Sequence, residues 1–136
     1  MTTVVTGASG HVGANLVRML LERGEHVRAM VLNDTRGIDG VDVELVRGDV
    51  RDSVSLRRAF EGAKSVFHCA AQISIVGDPD GRVHETNVVG AGNVAEAALA
   101  AGVTRLVHFS SVHAFDLTYL DGPIDGADLG SDLALE

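Results

Sequence analysis

The segment Thr6-Gly7-Ala8-Ser9-Gly10-His11-Val12-Gly13 sets three glycines at Gly-x-x-Gly-x-x-Gly spacing directly behind the apolar run Thr3-Val4-Val5. Glycines placed this way make a cradle for phosphate. Gly7 admits a tight turn closed to residues bearing a Cβ, Gly10 keeps side-chain bulk away from an approaching anion, and Gly13 lets the following helix pack closely on the strand. That helix, over about 11–23, carries apolar residues at Val12, Leu16, Met19 and Leu20. It turns its unpaired N–H groups and positive dipole end toward the anion. The chemistry implied is main-chain capture of a diphosphate by Gly7, Ser9, Gly10, His11, Val12 and Gly13. A glycine triplet alone is common; the strand before it and the helix after it supply the context that dinucleotide binding needs.

A dinucleotide has other groups to be held, and three more stretches carry residues suited to them. An acid about 20 positions past the glycines accepts from a ribose 2′-OH, whereas an arginine pairs with a 2′-phosphate. After His26-Val27-Arg28-Ala29-Met30-Val31-Leu32 come Asn33, Asp34 and Arg36, and Arg28 is also near in sequence. Both kinds of partner are present, so NAD and NADP both fit. Gly48-Asp49-Val50-Arg51-Asp52 ends a strand and opens a helix. Asp49 can accept from an adenine amino group with the Val50 main chain beside it, and Asp52 or Ser53 suits the helix N-cap. Ser65-Val66-Phe67-His68-Cys69-Ala70-Ala71 finishes in small residues. Ala70 and Ala71 leave room for a nicotinamide ribose against the main chain, while His68 reads as a satisfied core histidine and Cys69 as an inert core thiol. The six histidines show no His-Glu-x-x-His or other ligand spacing, so no metal is expected.

These stretches need a scaffold that brings them to one rim. Apolar and helical patterns alternate as strand 2–6, helix 11–23, strand 26–32, strand 42–47, helix 53–60, strand 65–70, helix 81–101 and strand 104–109. Such a βαβ series predicts the α/β class, a Rossmann-type doubly wound parallel sheet with strand order 3-2-1-4-5 and helices on both faces. Every motif above then falls at the carboxyl ends of the strands, where ligands of such sheets bind.

Composition narrows the partners. The chain has 136 residues and is 46% hydrophobic, within the globular range. No apolar run approaches the roughly 18 residues of a membrane span, and no basic stretch with an apolar core opens the chain. Formal net charge is −8 and Lys64 is the only lysine, which argues against nucleic acid as a partner. Cys69 is the sole cysteine, so no intrachain disulfide exists and a cytoplasmic location is expected.

With these pieces in place the chain resembles the extended short-chain dehydrogenase/reductase superfamily, in particular NAD(P)-dependent sugar epimerase/dehydratases and dihydroflavonol-reductase-like enzymes. The resemblance runs to about Phe115 and is carried by the glycine segment, Gly48-Asp49-Val50-Arg51-Asp52, Val66-Phe67-His68-Cys69-Ala70-Ala71, Asn87-Val88-Val89-Gly90 and Val107-His108-Phe109-Ser110-Ser111-Val112. It implies an oxidoreductase or nucleotide-sugar epimerase/dehydratase that moves hydride between nicotinamide and a hydroxyl or carbonyl of a small-molecule substrate. Asn87 takes the place of the family's asparagine near the active site on a long helix. Ser111, better than Ser110, takes that of the serine that hydrogen-bonds the reacting oxygen. The family's base is a tyrosine whose pKa is lowered by a lysine four residues later. The only tyrosine here is Tyr119, with Pro123 where that lysine would stand, and no lysine follows Lys64.

The expectation is therefore an NAD(P)-binding domain over 1–115, truncated after its fifth strand, and an acidic glycine-rich tail over 116–136 that begins a substrate loop and is flexible. The chain reads as the cofactor-binding part of a longer enzyme, inactive by itself. The alternatives are a stand-alone module that binds or senses NAD(P) without turning it over, and a degenerate chain that binds nothing. An open edge on the fifth strand and the small, apolar residues of 81–101 (Val83, Val88, Ala95, Ala98, Leu99) predict self-association, as a homodimer or otherwise.

Overall fold

The computed structural model describes residues 1–112; the expected tail over 116–136, with Phe115 and Tyr119, lies outside the described residues. Strand β1 (Thr2–Thr6) forms where threonine and valine follow one another, and it lies at the centre of the sheet. It pairs in parallel with β2 (His26–Val31) on one side and β4 (Ala63–His68) on the other. Strand β3 (Glu44–Arg47) adds to β2, and β5 (Arg105–His108) to β4. The order is β3-β2-β1-β4-β5, as the alternation predicts. The two outer strands are short and mostly exposed, because each has a neighbour on one side only and their pairing reaches no further than four residues. The first two residues of the strand expected over 42–47 therefore do not become strand.

Side chains alternate across the sheet and make two cores. On one face Val4, Met30 and Val66 pack with Leu56, Ala59 and Phe60 of α2 (Ser53–Phe60). Val94, Ala97 and Ala98 of a helix over 90–100 complete that cluster. On the other, Val5, Ala29 and Val31 meet Ala14, Val17 and Leu20 of α1 (His11–Glu22). Each fully buried side chain of the size of Phe60 or Leu56 contributes about 1.5–3 kcal/mol. Helix α1 stops at Gly24, whose φ of +77° lets the chain turn back while Glu25 N–H reaches the Leu20 carbonyl, and β2 begins at once.

The single helix expected over 81–101 is interrupted. It runs as α3 (Arg82–His84), a π-helical turn Glu85–Val89, and α4 (Gly90–Ala100). The π turn holds Asn87, whose amide exchanges two hydrogen bonds with the Gln72 main chain, at 2.8 Å from the Gln72 N–H and 2.9 Å to its carbonyl. Bonds across 15 residues hold the helix in this form, and the local apolar period does not report them. Gly90 follows because a Cβ there would come within 2.7 Å of Val50 Cγ2. Among the described residues no helix is long and apolar enough to cross a membrane.

Candidate functional site

The carboxyl ends of β1, β2 and β4 open onto a cleft of about 470 Å3 walled by Gly7, Ser9, Gly10, Asp49, Val50, Ala70 and Ala71. Seven of the residues picked out from the sequence thus meet in one place. The three glycines of the opening loop are needed for different reasons. Gly7 has φ +63°, and a Cβ on it would lie 2.7 Å from both the Ala70 nitrogen and its Cα. A Cβ on Gly13 would run into the Gly7 carbonyl oxygen. Both positions are fixed by the protein's own packing. Gly10 is less constrained: its φ of −75° and ψ of 172° are open to any residue, and a Cβ there would meet only the Gly7 oxygen, at a tight 3.3 Å that asks that oxygen to give by a few tenths of an ångström. The bare face of Gly10 looks into the cleft, which is the room that an anion lying on the main chain requires.

His11, Val12 and Gly13, also expected to hold the diphosphate, are not among the cleft's walls; they form the first turn of α1 just beyond Gly10, which is. No side chain caps the amides of His11, Val12 and Gly13, and no acid stands in the first turn. Helix α2 differs, since the Asp52 carboxylate accepts from Val54 N–H at 2.9 Å and Ser55 N–H at 3.3 Å. Of the two expected caps, Asp52 is the one used. Three uncapped donors at a positive dipole end suit a phosphate group. Behind the loop, a 3-10 turn over Arg36–Ile38 packs Gly37 against the Ser9 carbonyl, and Arg18 holds that turn by a 2.7 Å bond to the Gly37 oxygen.

At the adenosine side the structure changes the expected arrangement. Leu32 and Met30 line the cleft, whereas Asn33, Asp34 and Arg36 stand outside its walls. Asp34 and Arg36 pair with each other, with an N–O distance of 2.6 Å, and the guanidinium beside it holds the Asp34 carboxyl down at about 2. Arg28, near enough in sequence to serve a phosphate, is committed elsewhere. It bonds Glu44 at 2.6 Å and the carbonyls of Ala59 and Glu61 at 2.8 Å, tying β2 to β3 and to the end of α2. Asp49 does line the cleft, with its carboxylate bracketed by Arg51 at 2.6–3.1 Å and its pKa lowered by that contact. Arg51 also lies 3.5 Å from Glu85 in the π turn. The Val50 carbonyl accepts from Asn93 in the helix over 90–100 at 3.1 Å, and the Val50 side chain lies against Gly90, so the Gly-Asp-Val and Asn-x-x-Gly segments are seated on one another.

At the other end of the cleft, Ala70, Ala71 and Gln72 continue from β4. Asn87 does not line the cleft; it acts on it through Gln72. Ser111 is exposed just past β5 at the same edge of the sheet. Cys69 is half-buried against the cleft, and burial pushes its thiol up to about 11. His68 is 2% exposed with Nδ1 2.7 Å from Thr6 Oγ1, while its Nε2 has no partner. The expected satisfied core histidine is thus only half satisfied, at a cost of about 1–3 kcal/mol for the orphaned atom. Burial, with the His108 ring at 5.1 Å, lowers the His68 pKa to about 4 and keeps it neutral.

Thr6, Leu32, Arg51, Arg82 and Thr86 also line the cleft without having been singled out as ligands. Thr6 and Arg51 belong to the quoted motifs and could have been found there. Arg82 and Thr86 arrive only through the tertiary path of the long helix.

A family model described as the NAD dependent epimerase/dehydratase family matches residues 3–127. Sterol demethylase protein B of Methylococcus capsulatus is 49% identical over 113 residues, covering 82% of this chain and 34% of that protein. Cinnamoyl-CoA reductase 1 of Oryza sativa is 41% identical over 116 residues, covering 79% of this chain and 33% of that protein. A short-chain dehydrogenase/reductase superfamily protein from Agrobacterium tumefaciens, solved with bound NAD, superposes with a TM-score of 0.75 at 33% identity, over 84% of this chain and 34% of that one. The chain spans about a third of the length of the curated relatives it matches.

Proposed function

The chain belongs to the NAD dependent epimerase/dehydratase family, and from that premise we propose that it is the dinucleotide-binding part of an oxidoreductase or epimerase/dehydratase. The observation that carries this reading is Gly10: it lines the cleft with a backbone that any residue adopts, and it is the N-cap of a helix whose first amides no side chain caps. The diphosphate of the cofactor rests there. Asp49 and the Val50 main chain take the adenine, and Ala70 and Ala71 take the nicotinamide ribose. The bound nicotinamide supplies hydride exchange at its C4. Ser111 holds the reacting hydroxyl or carbonyl oxygen of the small-molecule substrate, and Asn87 positions the β4 rim through Gln72.

We read the cofactor as NAD. Arg28 and Arg36 each face a carboxylate at 2.6 Å, which leaves neither of these two guanidinium charges uncompensated for a 2′-phosphate. The Agrobacterium neighbour, with its bound NAD, is in accord. Calorimetric titration with NAD tests the proposal, and a flat titration at saturating ligand rejects it.

A polypeptide of these 136 residues holds no Tyr-x-x-x-Lys pair, and we expect it to bind without turnover. A base and its cationic partner supply about 10²–10⁴-fold in rate. The same feature favours a second reading, a module that senses NAD without chemistry. Incubation with alcohols, carbonyls and nucleotide sugars, read by nicotinamide absorbance, checks the inactivity; the same assay on a longer product of the gene separates the two readings. Self-association through the long helix and a cytoplasmic location also belong to this proposal. Val88, Val89 and Leu99 lie exposed on that helix and support the former.

A further inference from the structure

Thr6, His68 and His108 are register partners on three adjacent strands, so their side chains stand in a row on one face at the carboxyl edge of the sheet. Thr6 and His68 are fully buried there. Among the described residues the Thr6 hydroxyl has two partners: the Ala70 N–H, which donates to it at 3.4 Å, and His68 Nδ1 at 2.7 Å. The Ala70 N–H can only donate; a hydroxyl proton given to Nδ1 leaves Nε2–H as the one group of the pair without a partner, whereas an Nδ1–H would leave both Nε2 and the hydroxyl proton without one, so we assign the proton of the neutral imidazole to Nε2. Thr6 leads directly into Gly7, and Gly7 lies so close to Ala70 that a Cβ would not fit between them. Thr6, Gly7 and Ala70 all line the cleft.

We propose that Thr6 and His68 form a buried positioning brace for the cofactor: the imidazole, as its Nε2–H tautomer, directs the Thr6 hydroxyl to the Ala70 amide and sets the gap between the glycine loop and the rim of β4. This inference rests on the dinucleotide reading above. It assigns to His68 a role in shaping the nicotinamide-ribose seat without contact to the cofactor. It also accounts for a buried polar pair at the carboxyl end of an otherwise apolar face, where valine and phenylalanine would fill the same space. The neutrality of His68 is secured by burial and by the His108 ring on its far side.

The test uses the 136-residue protein with Thr6→Val, which keeps the shape and removes the hydroxyl, and Thr6→Ser, which restores it. Binding of NAD and of ADP is measured by calorimetry, and the imidazole ¹⁵N shifts are read at neutral pH. The expected result has four parts: a His68 signal protonated at Nε2 alone, roughly five- to tenfold weaker NAD binding in Thr6→Val, recovery in Thr6→Ser, and ADP affinity changed less than twofold. ADP ends at the diphosphate and does not reach the rim of β4, so a fold that is merely loosened weakens both ligands alike. Equal losses for NAD and ADP, unchanged NAD affinity, or a proton on Nδ1 each overturn the brace. A parent protein that binds neither ligand overturns the dinucleotide reading itself and the brace with it.

Discussion

Replacing Gly10 by alanine separates what the opening loop does for the fold from what it does for a ligand. The new Cβ meets only the Gly7 oxygen, at 3.3 Å, on a backbone that alanine adopts freely. Gly10 is also the N-cap of α1, where alanine is worse than glycine by about 1 kcal/mol, so the melting temperature should fall by a few degrees. The methyl group would take up room at the cleft wall that Gly10 lines, beside the uncapped start of α1. Displacing the diphosphate from one charge-assisted hydrogen bond costs about 1.5–3 kcal/mol, or roughly ten- to hundredfold in affinity. Gly13→Ala is the control, because its Cβ strikes the Gly7 carbonyl and must push main chain apart. It should lose about 1–3 kcal/mol or more of stability. Calorimetry with NAD and thermal melts of both variants give four numbers. The reasoning fails if Gly10→Ala binds NAD as the parent does, or if it melts as low as Gly13→Ala.

Other expectations can be checked independently. His68 has a folded pKa of about 4, below the ordinary 6.5, so it stabilises the fold fully above pH 6.5 and this contribution fades as pH falls toward 4. Urea titrations should show about 1 kcal/mol lost by about pH 5.5 and about 3 kcal/mol by about pH 4 from this group, and His68→Asn should lack that component; an identical pH slope in the variant would contradict it. Cys69, with its thiol pushed up to about 11, should react with iodoacetamide roughly a hundredfold more slowly than a free thiol near neutral pH, and more slowly still with NAD bound. Mass spectrometry showing labelling at the free-thiol rate would refute the burial argument. Asp34→Ala frees Arg36 and should raise the affinity for NADP relative to NAD by about tenfold at low salt. An unchanged ratio would mean that Arg36 does not reach the ribose.

The sheet order was legible because each strand of the series is followed by a turn signal and each crossover has one permitted hand. The loop was legible for a similar reason: its glycines lie between a β-branched run and a periodic one. What their letters did not carry is the division of labour, since Gly10 and Gly13 look alike until the Gly7 carbonyl is seen beside one of them. The π turn at Glu85–Val89 escaped because Asn87 is held by Gln72, a partner distant in sequence, and periodicity records only neighbours three and four apart. The Thr6–His68 bond spans 62 residues and was invisible for the same reason. Arg28 was left open because an arginine in mid-strand shows its charge in the sequence but not the face it takes. The fold turns it to Glu44 and the end of α2.

The central claim is that main-chain amides at the start of α1 hold a diphosphate, and a crystal structure of the chain with NAD tests it most directly. The account predicts phosphate oxygens about 2.7–3.2 Å from amide nitrogens among His11, Val12 and Gly13, lying over the bare face of Gly10. A saturated crystal with that space empty, or with NAD bound anywhere other than the carboxyl rim of β1 and β4, would contradict it.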